Sequence, residues 1–536
     1  MSGTYDVIVI GGGITGAGVA RDLARRGLSV LILEKDDWGG GTSGGSSWMI
    51  HGGPRYLEFD WRTTQRSCED AGKIVTAARH LVHRVVFLLP ILPGAKHGLE
   101  QMETAMEVYD RYQPLKHSNA HARLSAAQAR ELEPALAPEV VGAVTMEEWG
   151  VDPHRLTWVN VLDAIEHGAR ALNHSRVEGL LVDGGTVHGV RYRAADGSRA
   201  EARARAVVNA AGPWSAQIAA MGRAEVKLRP AKGIHIIYDR RISNFAIESE
   251  AIDGRSLLCV PHGAFTLLGT TDDDFQGDPD EAEVSEEEVD YLLQGFARVL
   301  PDIRAFRPVR STVAVRPTLH RWRPYEDDLS RAYRVIDHGE NTSGGPVGLI
   351  SIVGGKLSMY RQMAEETSDA VCRQLGIQSA CTTVEPLPGN ESEAPTPAAI
   401  ADRLGISLLS GARALSRHGT RVEAALTGAG TSRVLCRCEA LTEAELIYCA
   451  RNEMVTGLDD AFRRCGLASG PCAGGGCLSR AAQVLGMELG WSQGQRIEAV
   501  EDFLRRAWPK RQPVLGPAGW AQEELDYARR QNLVRS

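Results

Sequence analysis

Two groups of residues have the types and spacing for redox chemistry, and they lie at opposite ends of the chain. Near the end, Cys436 and Cys438 stand as C-R-C, and Cys472 and Cys477 lie in G-P-C-A-G-G-G-C. Thiolates are soft ligands, and four of them this close in sequence could hold a metal centre. Near the start, Tyr5–Gly18 reads Y-D-V-I-V-I-G-G-G-I-T-G-A-G. Gly11-x-Gly13-x-x-Gly16 is the spacing that cradles a pyrophosphate. The first glycine makes a tight turn, the second lets backbone approach phosphate, and the third packs helix on strand. A helix starting at Ile14 and Thr15 offers free N–H groups and the positive end of its dipole. Glu34 stands 23 residues after Gly11 and could bind ribose hydroxyls. Strand, helix, second strand and terminal acid together make a dinucleotide site. No second fingerprint of this kind is found, which favours bound FAD over a soluble nicotinamide. A two-electron cofactor at one end and a metal centre at the other would make an electron route.

The thiol set leaves alternatives open. Tetrathiolate zinc usually shows C-x2-C pairs, whereas the spacing here is C-x-C and C-x4-C. An empty or redox-thiol site is the third possibility. Six of the ten cysteines fall between 436 and 477. In a long chain without a secretion signal, such clustering favours metal or catalytic use over a disulfide framework. Cys449 reads as helix core and Cys465 as a neighbour of the set. Cys68, Cys259, Cys372 and Cys381 read as reduced and mostly buried.

The elements that must position these groups follow from the hydrophobic pattern. The chain has 536 residues, room for two to four domains. Its net charge of −8 argues against a nucleic-acid binder, whose affinity would come from clustered Lys and Arg. Strands are expected at Val7–Ile10, Leu28–Leu33, Ala206–Ala210, Ile234–Tyr238, Ser256–Val260, Phe265–Gly269, Tyr333–Ile336 and Leu349–Val353, with a helix over Ile14–Arg26. The middle strands read as an antiparallel sheet inserted into the nucleotide domain. Val85–Pro93 is apolar but too short to span a bilayer and reads as a buried strand. Ser285-x-x-Glu288 and Thr442-x-x-Glu445 read as capping boxes. Pro386–Pro397 reads as a linker, followed by helical patterns over 398–427 and near 498–507. Gly39–Gly53, dense in Gly and Ser, fits backbone pressed against a flat ring system.

Several motifs carry a family resemblance. They are Ser46-Ser47-W-M-Ile50-His51-Gly52-Gly53-P-Arg55-Tyr56, Val208-Asn209-Ala210-Ala211-Gly212-Pro213-Trp214, Lys232-Gly233-I-His235, Gly269-Thr270-Thr271-Asp272, Val315-Arg316-Pro317 and Gly354-Gly355-Lys356-Leu357-S-M-Tyr360. With the fingerprint, they make the chain resemble the FAD-dependent sn-glycerol-3-phosphate dehydrogenases of the amino-acid-oxidase-like flavoproteins. Gly150-Val151-Asp152-Pro153-H-R-Leu156 and the cysteine run are similar to the large-subunit branch of the anaerobic enzymes. The cysteine run itself resembles the bacterioferritin-associated-ferredoxin type of [2Fe-2S] domain. Pro54, before Arg55, departs from the family pattern.

The resemblance implies an α/β fold in which a Rossmann-like FAD-binding domain carries an inserted antiparallel substrate sheet, followed by a small α-rich iron–sulfur domain. It places the FAD oxidoreductase domain at 1–385 with its insertion around 215–340. A linker and helical segment follow at 386–432, the [2Fe-2S] domain at 433–486, and a helix and tail at 487–536. It implies oxidation of sn-glycerol 3-phosphate to dihydroxyacetone phosphate, with FAD and a [2Fe-2S] cluster as cofactors. Electrons would pass toward a quinone-linked partner that accepts them. The implied place is cytoplasmic, with peripheral association at the inner face of the membrane. Arg55, Tyr56, Thr270, Arg316 and Lys356 would bind substrate. The FAD would meet Gly11, Gly13, Ile14, Thr15, Gly16, Glu34, Thr42, Ser43, Ser47, Ala211, Gly212, Gly355, Lys356 and Leu357. Cys436, Cys438, Cys472 and Cys477 would be the metal ligands. His235 and His51 are the candidate bases, because imidazole titrates near working pH; Arg316 and Lys356 complete the catalytic set. Two other readings stay open: a 2-hydroxy-acid or amine dehydrogenase of the same fold, and a cysteine domain that docks a partner or handles iron without carrying electrons.

Overall fold

The computed structural model describes residues 3–535 except 59, 323–330, 341–343, 382 and 429–431. Two sheets lie on either side of the site. Among the described residues, the first has eight strands. Thr4–Ile10 is central, parallel to Val30–Leu33 on one side and to Arg199–Asn209 on the other. Leu349–Gly354 continues the parallel order, and Tyr333–Asp337 closes that edge antiparallel. Val7, Ile8 and Val9 are fully buried, as a strand covered on both faces requires. Helix Ile14–Arg25 packs on this sheet with helices Pro153–Glu166 and Tyr360–Leu375.

The second sheet has ten strands. Ala231–Tyr238 pairs antiparallel with both Phe265–Gly269 and Pro308–Arg316. The sheet reaches well beyond the expected 215–340 insertion. Val82–Ile91, which takes in most of the Val85–Pro93 run read as a buried strand, pairs with Gly142–Val151 and, in parallel, with Ala246–Glu250. This sheet is therefore built from two separate stretches of chain. Alternation within each stretch gave no signal that they would join.

Ser285 caps helix Glu286–Ala297 with a reciprocal Glu288 bond, as its motif predicts. Thr442 also caps its helix, accepting from the Glu445 N–H at 3.2 Å. The second box is only half made, because the Glu445 carboxylate turns away and takes Arg417 at 2.6 and 2.8 Å and His418 at 2.9 Å. A buried guanidinium claims that carboxylate more strongly than a backbone amide can.

After residue 397 the described chain is mostly helical, with one antiparallel ribbon of Val434–Cys436 and Leu441–Thr442, around a core that includes Leu435, Leu441, Leu446, Leu467, Leu478 and Phe503. The stretch read as a linker is docked rather than free. Leu387 is fully buried, and its N–H donates to the Ala77 carbonyl at 2.9 Å. The helical part is joined to the nucleotide domain by buried ion pairs. Arg155 meets Glu453 at 2.5 and 3.2 Å and donates to the Arg417 and Arg464 carbonyls. The part after the expected linker is therefore packed against the nucleotide domain through charged side chains as well as through the chain itself. Among the described residues, no helix is long and apolar enough to cross a membrane.

Candidate active site

One cavity of about 1330 Å³ runs between the two sheets. At one end it is lined by Gly11, Gly13, Ile14, Thr15 and Glu34, and further along by Thr42, Ser43, Ser47, Ala211, Gly212, Gly355, Lys356 and Leu357. Gly16 is behind this wall. A Cβ there would lie 1.9 Å from the Gly11 carbonyl oxygen, so glycine is what lets the helix sit against the turn. Gly11 itself has φ +107, a conformation L side chains rarely take. The Gly12 N–H donates to Glu34 at 2.6 Å and the Asp36 N–H at 2.8 Å. Burial still raises this carboxyl above its ordinary range. Ser43 Oγ accepts the Ile14 N–H at 2.9 Å, at the first turn of the helix. A glycine-built turn leading into a helix and a half-buried acid at the second strand's end fit FAD.

The other end of the cavity holds the expected substrate residues together. Arg55, Tyr56, Thr270, Arg316, Lys356, His51 and His235 all line it. Arg316 lies flat across Gly233, where a Cβ would stand 2.3 Å from its Nη2. It donates to Thr270 Oγ1 at 3.0 Å, to the Thr271 carbonyl at 3.1 Å and to Asp272 at 2.8 Å. The other oxygen of Asp272 takes Arg331 at 2.7 Å. Arg331 also lines the cavity. Sequence reasoning missed it, since it stands in no motif, and treated Asp272 only as part of one.

Tyr56 is enclosed by cations. The Arg55 guanidinium and the Lys356 ammonium each lie 5.0 Å from its ring centroid. Burial disfavours the phenolate, but Arg55, Arg331 and Lys356 outweigh it and bring the phenol below its usual value. Lys356 Nζ donates to the Gly52 carbonyl at 2.9 Å, while the Gly52 N–H donates to Glu148 at 3.2 Å. Burial also lowers the Lys356 ammonium from its ordinary value.

The two histidines are not the near-neutral bases that their residue type suggests. Neither titrates near working pH. Burial first, then Arg316, brings His235 down to about 3. Burial, with Lys356, Arg55 and Lys116 around it, holds His51 well below its usual value. Both are neutral imidazoles. His235 Nε2 is 2.9 Å from Ser47 Oγ, and its buried Nδ1 has no hydrogen-bond partner among the described residues.

The four cysteines come together in the helical part. Cys438 Sγ donates to Cys472 Sγ at 3.6 Å. Hydrogen bonding from Cys477 brings Cys436 down to about 7 and Cys472 to about 5, and raises Cys477 itself. Burial brings Cys438 up to about 11. Among the described residues, no three His, Cys, Asp or Glu side chains are arranged as a metal site. Cys449 is fully buried in the core of this part, as expected, and Cys465, read as a neighbour of the thiol set, is fully buried in the same core.

Comparison with known proteins matches this geometry. The family model "FAD dependent oxidoreductase" matches residues 6–360, and "C-terminal domain of alpha-glycerophosphate oxidase" matches 380–496. The chain is 37% identical over 539 residues to a subunit of the anaerobic glycerol-3-phosphate dehydrogenase of Escherichia coli K12, covering 98% of this chain and 96% of that one. It is 33% identical to a subunit of the anaerobic glycerol-3-phosphate dehydrogenase of Haloferax volcanii, covering 95% and 87%. Among solved structures, the glycerol-3-phosphate dehydrogenase of Bacillus halodurans complexed with FAD aligns with TM-score 0.77, 26% identity and 96% coverage of both chains. With the nucleotide turn and the cation-lined cavity in one continuous space, these matches make the chain a member of the FAD-dependent oxidoreductases, in the branch of the glycerol-3-phosphate dehydrogenases.

Proposed function

We propose that this chain oxidises sn-glycerol 3-phosphate to dihydroxyacetone phosphate, and that its electrons leave through the cysteine region toward a quinone-linked partner. The observation that carries the substrate reading is the cavity itself, where Arg55, Arg316, Arg331 and Lys356 line the same space as the nucleotide turn. Arginine offers paired donors to phosphate oxygens. The names of the relatives support the same substrate class.

FAD, when bound, supplies acceptance of a hydride at its N5. The chain's own residues do the rest. Arg316 and Arg331 hold the phosphate, their guanidiniums already aimed by Asp272. Lys356 and Arg55 favour the alkoxide form of a hydroxyl lying beside them, so a weak base suffices. The neutral His235 takes that proton, and Ser47 fixes the tilt of its ring. The turn at Gly354–Lys356 lines the cavity and brings the Lys356 ammonium to it, a cation beside which negative charge on a bound flavin would be stabilised.

Cys436, Cys438, Cys472 and Cys477 would hold a [2Fe-2S] centre, which carries one electron at a time. Mutual contact of the thiols and the lowered Cys436 and Cys472 support a thiolate site. Docking at the inner face of the membrane belongs to the same reading; the anaerobic relatives are named as subunits, which supports a partner.

Anaerobic mixing with sn-glycerol 3-phosphate tests the substrate. The flavin absorbance should bleach, with glycerol a poor substitute. Faster bleaching by lactate or 2-hydroxyglutarate would replace this reading with that of a hydroxy-acid dehydrogenase.

A further inference from the structure

The loop that follows Glu34 is gripped on two sides. On the inner side, Gly12 donates to Glu34 and the Gly39 N–H returns to the Gly12 carbonyl at 2.9 Å. On the outer side the grip comes from helix Leu458–Cys465 of the cysteine region. Asp37 is fully buried, and Arg464 Nη2 meets its carboxylate at 2.5 Å, with Arg463 Nη1 3.5 Å from the other oxygen. Arg464 also donates to the Glu453 carbonyl at 3.1 Å and lies over the Trp158 ring at 4.8 Å. Asn173 Nδ2 bridges Asp37 at 3.2 Å and the Met454 carbonyl at 3.3 Å. His174 holds Asp460 at 3.2 Å through its ring and the Asp36 carbonyl at 2.7 Å through its N–H.

We propose that the cysteine region is part of the nucleotide clamp, with Arg464 as the positioning residue. Glycines at 39, 40, 41, 44 and 45 give this loop little stiffness of its own. Thr42, Ser43 and Ser47 on it line the cavity, so its shape sets theirs. The carboxylate of Asp37 is out of water and is held in place by Arg464. Removing that guanidinium leaves the buried charge only the longer contact with Arg463 and the Asn173 amide, and the loop opens to hydrate it. FAD affinity and the packing of helix Leu458–Cys465 are therefore linked, and the linkage is reciprocal. The inference does not depend on what the four cysteines bind.

The test follows release of FAD from full-length holoprotein by its rise in fluorescence on dilution. Arg464→Met should release FAD about tenfold faster than the parent, within the usual range of coupling between sites. Arg464→Lys should restore part of the difference. Arg421→Ala is the reference, because Arg421 also joins the two regions through Glu166 and Glu391 but lies away from the loop; it should release FAD at the parental rate. A folded Arg464→Met protein with parental release overturns the proposal, and so does equal loss from Arg421→Ala. If Arg464→Met does not fold, hydrogen exchange on the unaltered chain decides. Amides of Leu458–Cys465 should exchange more slowly with FAD than without it, and equal exchange overturns the clamp.

Discussion

Arg316 and Asp272 meet at 2.8 Å inside the cavity, so the guanidinium expected to bind phosphate is oriented before any anion arrives. Preorganisation of this kind lowers the cost of binding, because the side chain need not be ordered by the ligand. Arg316→Ala should lower kcat/KM by roughly 10- to 100-fold, the loss of a charge-assisted bond of about 1.5–3 kcal/mol. FAD content should not change. An Arg316→Ala enzyme with parental kcat/KM would remove Arg316 from the site.

Gly233 offers a gentler test of the same geometry. A methyl group there would strike Arg316 Nη1 and Nη2 at 2.6 and 2.3 Å, and those are the ends of a flexible side chain. The arginine can swing away while the backbone stays. Gly233→Ala should therefore reduce kcat/KM by about 10-fold with a nearly unchanged Tm. A large fall in Tm with normal kinetics would show that Gly233 serves the sheet and not the arginine.

Acid should weaken the fold before carboxylates titrate. Burial brings His80, His154, His235 and His262 each to about 3. Their folded values lie below the unfolded one near 6.5. The unfolded chain thus binds protons first as pH drops, and stability is lost from about pH 6.5 downward, on the order of 1 kcal/mol per histidine at pH 5.5. His174, raised by its hydrogen bond to Asp460, acts in the opposite sense but alone. Tm measured at pH 7.5, 6.5 and 5.5 should fall across the series, and a flat series would contradict the burial of these rings as neutral groups.

The thiol set can be separated from the flavin chemistry. Cys472→Ser/Cys477→Ser should keep FAD and keep bleaching by substrate, because neither residue lines the cavity. It should lose the EPR signal of a reduced cluster and most transfer to a quinone-linked partner, while a small dye still turns over. Parental transfer by this variant would favour the docking-module reading of the cysteine region.

The nucleotide unit was legible in the sequence because its constraints are local. Gly11, Gly16 and Glu34 are each needed within one βαβ unit, and each is where its spacing put it. The cavity residues were reached through motifs, and Arg331 escaped because its role depends on a carboxylate 59 positions away. Burial was the property the sequence hid most completely. His51 and His235 carry the residue type of a base, but neighbouring charges and lost water move their titration far from neutrality. The same holds for the stretch after Pro386. Its Pro and Gly content marks a chain without regular structure, which says nothing of whether that chain is packed.

The joining of Asp37 to Arg464 has a consequence for how this protein is made. The two residues are 427 positions apart, and the central strand Thr4–Ile10 also waits for Arg199–Asn209 and then Leu349–Gly354 to complete its sheet. Contacts so distant in sequence form late and slowly. A ribosome must therefore deliver the chain beyond residue 464 before the first βαβ unit acquires its finished surroundings. Nascent chains stalled before residue 464 should carry the fingerprint yet fail to retain the flavin. Flavin retention should thereby depend on helix Leu458–Cys465 having been made and docked.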